Sequence, residues 1–147
     1  GPEIETRAQV RQVSRMFVGA AHLRVPFFAV VLRKGYGLGA MAMTGGGFHA
    51  TVATAAWPSG EFGAMGLEGA VRLGFRKELE AAAEGAERDT LYEQLVARQY
   101  ANGKALNMAT TLEIDAVIDP AETRNWLAQG LASANVGPAP SSAIDPW

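Results

Sequence analysis

Wound at 3.6 residues per turn, the chain from Glu3 to about His22 puts Val10, Val13, Phe17, Ala20 and Ala21 on one face and predicts an amphipathic helix. Pro26 ends any helix there. The run Phe27-Phe28-Ala29-Val30-Val31-Leu32 does not alternate. It is short and β-branched at its centre, and predicts a strand buried on both faces. Strands of that kind lie in parallel sheets covered by helices, which places the chain in the α/β class.

Next come Arg33-Lys34-Gly35-Tyr36-Gly37-Leu38-Gly39-Ala40-Met41-Ala42-Met43. Three glycines in alternation are expected to end the strand, and the small residues after them suit a closely packed helix. Thr44 followed by Gly45-Gly46-Gly47 breaks it. Phe48 to Trp57, rich in Val, Thr and Ala, predicts a second strand closed by Pro58-Ser59-Gly60. A short strand over Glu61 to Met65, then a helix from Leu67 to Phe75, follow. Arg76 to Asn102 carries Leu79, Leu91, Leu95 and Tyr100 at helical spacing, so it predicts one or two surface helices broken at Gly85 and stopped by Gly103. Ile114 to Ile118 predicts a short strand interrupted by Asp115. Asp119-Pro120-Ala121-Glu122 is a helix start, with Asp119 as N-cap, Pro120 at N1 and Glu122 at N3. Trp126, Leu127 and Leu131 lie on that last helix, and Val136 to Trp147, with three prolines, reads as a loose tail. There is no internal repeat.

Composition narrows the chemistry. The chain has 147 residues, 48% of them apolar, enough for one core. With 13 Lys and Arg against 15 Asp and Glu, the net charge of −2 excludes the strongly basic footprint of a general nucleic-acid binder. No cysteine is present, so there is no disulfide, thiolate metal site or thiol nucleophile. His22 and His49 alone make no metal cluster. No apolar run reaches the roughly 18 residues of a membrane span and no signal-peptide layout opens the chain, so a cytoplasmic location is expected. Gly1-Pro2 reads equally as native sequence or as the remnant of a cleaved tag.

The glycine segment is where chemistry is expected. A strand ending in glycines at a helix start presents unpaired backbone N–H groups at a positive helix end. Such a place takes an anion, or an oxygen that becomes negative during reaction. No Gly-Lys-Ser/Thr follows, so it is no Walker loop, and it lacks the third glycine of the dinucleotide fingerprint. On the residues alone, glycines that only let a helix pack close to a sheet remain the alternative.

These residues carry a resemblance. Val25-Pro26, the strand after it, and Arg33-Lys34-Gly35-Tyr36-Gly37-Leu38-Gly39-Ala40 look like the C-terminal, biotin-facing half of a biotin-dependent acyl-CoA carboxyltransferase. Ala56-Trp57-Pro58, Met65-Gly66, Gly69-Ala70-Val71 and Phe75-Arg76-Lys77-Glu78 follow in the family's order and spacing. So does the closing run from Ile114 to Arg124, and the likeness extends from Gly1 to about Leu131. The resemblance implies a crotonase-like spiral of ββα units, here a truncated copy. Residues 1–134 would be a partial carboxyltransferase domain and 135–147 a tail.

The reaction so implied moves a carboxyl group from carboxybiotin, held on a biotin carrier or biotin carboxylase partner, to the α-carbon of an acyl-CoA. Two backbone N–H donors then stabilise the ureido oxygen. By resemblance these are Gly39 and Ala40, with Gly37, Leu38, Met41, Met65 and Gly66 around the cofactor. The family more often reads Tyr-Gly-Gly-Ala, so Tyr36-Gly37-Leu38-Gly39-Ala40 has one extra residue before its Gly-Ala pair, and a gapless match shifts the donors to Leu38 and Gly39. Gly39 and Ala40 are favoured because the run also resembles the Gly-Tyr-Ala-Leu-Gly-Gly turn of crotonases.

Crotonase-type hydration is disfavoured, since Met41-Ala42-Met43-Thr44 contains no acid for acid–base work. The carboxyltransferase subunit of a biotin-dependent decarboxylase, and a non-catalytic dimerisation module, stand as the other readings. The acyl-CoA-binding half has no counterpart in these residues, so the chain by itself is expected to be inactive and to assemble into homo-oligomers. Arg33 and Lys34 read as a solvated pair rather than a phosphate site, His22 and His49 as structural, and the Glu68, Glu78, Glu80 and Glu84 set as a solvated face.

Overall fold

A computed structural model of the chain describes residues 2–135. The N-terminal periodicity yields two helices, α1 (Pro2–Glu5) and α2 (Gln9–Ala21), not one. Ala8 between them takes a left-handed conformation with φ of 56°, which costs a non-glycine residue roughly 1–2 kcal/mol. No glycine or proline marks that break, so the pattern of apolar positions passed over it.

The strands then build two consecutive ββα units. The first is β1 (Phe28–Val31), β2 (Lys34–Tyr36) and α3 (Gly37–Met43). The second is β3 (Ala53–Ala56), β4 (Glu61–Gly63) and α4 (Leu67–Gly74). Strand β1 pairs with β3 in parallel, from Phe28 against Ala53 to Val31 against Ala56. Strand β2 pairs with β4 in the same sense, Gly35 lying opposite Phe62 and Tyr36 opposite Gly63. After α5 (Arg76–Ala81), α6 (Ala86–Asn102) and α7 (Ala105–Thr110), the short β5 (Ala116–Val117) joins β3 on its far side. The larger sheet therefore runs β1-β3-β5, and β1 is its edge.

Several expectations change. The glycine segment does not end the strand region at once: Lys34-Gly35-Tyr36 forms a strand, with Gly35 buried where a Cβ would come within 3.3 Å of the Phe62 ring. The strand expected over Phe48–Trp57 shrinks to four residues, because Phe48 to Val52 turn instead to lodge the Phe48 ring edge-on against Phe62. Strand β1 is half-buried rather than covered on both faces. Helix α7 is an addition to the expected elements; it starts at Ala105, two residues after Gly103, whose backbone lies too close to the Phe62 carbonyl for any side chain. The Gly85 break holds, with φ of 97°. The stretch 136–147, read as a tail, lies outside the described residues.

The core sits under β3 and β4, where Ala56, Phe62, Ala105 and Ile114 form one buried cluster. Alanines at 55 and 56 keep β3 thin enough to be sandwiched, and Val71 of α4 is also fully buried. Thr54 brings polarity inside and is paired throughout. Its hydroxyl shares a 2.7 Å bond with Thr51 and donates to the Phe48 carbonyl at 2.8 Å. Its N–H donates to the Asp115 carboxylate at 2.7 Å. Asp115, the residue that interrupts the apolar run, thus joins β5 to β3.

The capping reading of Asp119 is borne out: its carboxylate accepts from the Ala121 N–H at 2.8 Å, and a short 3₁₀ turn over Pro120–Glu122 leads into α8 (Thr123–Ser133). Helix α8 is held by Trp126 stacked edge-on to Phe28 and by the Trp57 indole N–H donating to Thr123.

Candidate functional site

Tyr36 leaves β2 in an extended conformation and enters α3 with no side chain capping the helix. Gly37 follows in the left-handed region with φ of 56°, and a Cβ there would stand 2.6 Å from the Ala64 carbonyl oxygen. Only glycine fits that approach. The contact also brings the second unit alongside, because Ala64 leads directly into Met65 and Gly66, and Gly66 opens α4. The starts of α3 and α4 are thereby joined through Gly37 and Ala64.

Helix geometry orders the donors. Within α3 the Ala40 N–H has the Tyr36 carbonyl four residues behind it, while those of Leu38 and Gly39 have no such partner. Leu38 and Gly39 are exposed and line a groove of about 380 Å³ with Ile4, Val10, Val13 and Phe17. Ala40 instead lines an apolar cavity of about 520 Å³ beneath β1, with Met43, Thr44 and Phe48. Met41 borders a third hollow of about 440 Å³ with Gly37, Phe62 and Ala64. The expected site residues are thus spread over three sides of one short helix. Its far end is capped by the Thr44 hydroxyl, which donates to the Ala40 carbonyl at 2.9 Å.

Two tyrosine–carboxylate pairs flank these helix starts, and spacing along the chain did not reveal them. Tyr36 donates its hydroxyl to Glu61 at 2.8 Å, and burial together with that bond pushes its phenol well above the ordinary range. Arg33 stands 4.0 Å from the same carboxylate. Tyr100 on α6 donates to Glu68, in the first turn of α4, at 2.7 Å. That bond holds the Glu68 carboxyl below, and the Tyr100 phenol above, its usual value. His49 lies 3.8 Å from Glu113 with both side chains exposed. The His22 ring nitrogen sits 2.7 Å from the Val18 carbonyl oxygen. Among the described residues no group of three His, Asp or Glu can hold a metal ion, and no helix is long and apolar enough to cross a membrane.

Comparison with known proteins decides the family. A family model described as the carboxyl transferase domain matches residues 2–141. The chain belongs to the carboxyl transferase domain family. The methylmalonyl-CoA carboxyltransferase 12S subunit of Propionibacterium freudenreichii subsp. shermanii is 36% identical over 135 residues, covering 89% of this chain and 24% of that protein. The beta6 subunit of a biotin-dependent acetyl-/propionyl-coenzyme A carboxylase from Mycobacterium tuberculosis is 34% identical over 135 residues, 91% of this chain and 28% of that protein.

Among solved structures, hexameric transcarboxylase 12S superposes with a TM-score of 0.81 at 30% identity over the whole chain and 28% of its own. A single-chain, multi-domain long-chain acyl-CoA carboxylase gives a TM-score of 0.74 at 56% identity, over 88% of this chain and 12% of its own. This carboxyl transferase chain spans about a quarter of the length of its curated relatives. Its fold is crotonase-like, as the resemblance implied, and the two parallel ββα units are the part of that spiral on view.

Proposed function

We propose that this chain is the biotin-facing portion of the carboxyltransferase component of a biotin-dependent acyl-CoA carboxylase. The observation that carries the reading is the exposed first turn of α3, where backbone N–H groups without helical partners stand beside the start of α4. That donor set fits an oxygen that gains negative charge, and makes little demand on acidic or nucleophilic side chains. Biotin on its carrier protein supplies the carboxyl group and, when that group leaves, the negative charge on the ureido oxygen.

The chain's own contribution is then to bind and orient that oxygen with N–H donors from Leu38 and Gly39. Helix geometry supports this pair over Gly39 and Ala40, because the Ala40 N–H has the Tyr36 carbonyl behind it. Met65 and Gly66 follow Ala64 into the start of α4, and Met41 lines the hollow that Gly37 and Ala64 border. No acidic residue lies in the first turn of α3, which argues against a hydratase.

Acyl-CoA is the acceptor in this reading, and identity of 56% to a long-chain acyl-CoA carboxylase supports a long acyl chain. The partners are a biotin carboxylase and biotin carrier, with further copies of the chain in an oligomer. The test is bicarbonate incorporation by the holoenzyme containing this chain, with its biotin carrier, across acyl-CoAs of increasing length. Avidin-sensitive carboxylation that favours the longer chains is expected. Absence of carboxylation with every acyl-CoA refutes the reading.

A further inference from the structure

Tyr36 is the last residue of β2 and the residue from which α3 departs, so whatever holds it also aims the first turn of that helix. Helix α3 has seven residues and no side-chain cap, and so short a helix takes its direction from its anchors rather than from its own hydrogen bonds. Its far end is capped by Thr44, which is buried. Its near end has the close contact of Gly37 with the Ala64 carbonyl and the hydroxyl of Tyr36 on Glu61, at 2.8 Å. Glu61 is itself well fixed. Its N–H donates to the Arg33 carbonyl at 2.6 Å, and its backbone pairs with Lys34 across the sheet and with Lys104 in an isolated antiparallel β-bridge. The ring of Tyr36 is seated as well, because its cross-strand partner is Gly63, and a Cβ there would lie 3.8 Å from the ring.

We infer that Tyr36 is a positioning residue for carboxyl transfer, its hydroxyl on Glu61 holding the entry of α3 so that the Leu38 and Gly39 N–H groups keep one direction. This rests on the proposal that those N–H groups receive the developing negative charge. A hydrogen bond to an ionised acceptor is about twice as strong as a neutral one, which suits an anchor. Removing it leaves the ring packed and the donors present but free to turn, and small misplacement of aligned groups lowers rate far more than affinity.

The test is made in the holoenzyme. Tyr36→Phe keeps the ring and deletes the bond; kcat should fall about tenfold while KM for acyl-CoA stays unchanged. Glu61→Gln keeps only a neutral acceptor oxygen and should fall between wild type and Tyr36→Phe, whereas Glu61→Ala should match the loss of Tyr36→Phe. The double variant Tyr36→Phe, Glu61→Ala should be no worse than either alone, since both remove one interaction. Amide hydrogen exchange should quicken over residues 37–41 in Tyr36→Phe and stay unchanged elsewhere. Unchanged kcat in Tyr36→Phe, or faster exchange throughout β2 and β4, overturns the inference. Where Tyr36→Phe does not fold, the Glu61 pair decides, and equal rates for Glu61→Gln and Glu61→Ala overturn it. A wild-type holoenzyme that carboxylates no acyl-CoA refutes the functional reading instead. An active wild type with an unaffected Tyr36→Phe refutes only the role of Tyr36.

Discussion

Replacing Gly39 by proline removes one N–H from the first turn of α3. A Cβ at Gly39 meets nothing within 4 Å, so the ring has space. The lost N–H makes no bond inside the helix, but a proline at the third helical residue disfavours the helical conformation of Leu38, so the folding cost is read separately by thermal melts. A donor aimed at a developing oxyanion is worth about 3 kcal/mol, or roughly a hundredfold in rate. Gly39→Ala is the control. It keeps the N–H, fits the open space, and should leave the rate unchanged while gaining up to about 1 kcal/mol of helix propensity. Leu38→Pro separates the two possible donor pairs, because it slows the reaction if Leu38 and Gly39 donate and leaves it unaffected if Gly39 and Ala40 do. The assay is carboxyl transfer from the carboxylated carrier to acyl-CoA by the holoenzyme, with thermal melts alongside. A folded Gly39→Pro enzyme at wild-type rate would refute the argument that this helix start stabilises charge.

Three further outcomes test the fold and its electrostatics. Thr54→Val is nearly isosteric but strips the hydroxyl from its bonds to Thr51 and the Phe48 carbonyl in a fully buried position, and should cost about 1–3 kcal/mol in urea unfolding. No change there would show that the buried threonines contribute no net stability. Tyr100→Phe should raise the Glu68 carboxyl back toward the ordinary carboxylate range, read by carbon NMR titration. A depressed carboxyl stabilises the fold above its unfolded pKa and loses that contribution as pH falls through the folded value. An unmoved midpoint in Tyr100→Phe would remove Tyr100 as the cause. Finally, Val10, Leu38, Met43 and Leu73 are each about 70% exposed, and among the described residues the outer edge of β1 has no strand beside it. The isolated chain should therefore self-associate at micromolar concentration, and a strictly monomeric sedimentation profile would contradict this.

Order along the chain was enough for the elements whose signals are local. The apolar run at 28–31, the glycine-broken pair of helices around Gly85 and the Asp119-Pro120 start all lie where pattern and capping chemistry put them. It was also enough for the family, because Arg33 to Ala40, Ala56-Trp57-Pro58 and Ile114 to Arg124 are contiguous motifs in a characteristic order. What it did not contain was distance. The break at Ala8 carries no residue signal, and the turn at Phe48 exists because a ring 14 positions ahead, that of Phe62, offers it a seat.

The site divides the same way. That glycines at a strand end would open a helix with free N–H groups was readable from residue types. Which groups stay free depends on where α3 begins, and that is fixed by Gly37 closing on Ala64 and by Tyr36 reaching Glu61, 25 residues on. Local conformational preference determines elements. Only parallel pairing of two ββα units, joining residues that sequence separates, sets the direction in which a backbone donor points.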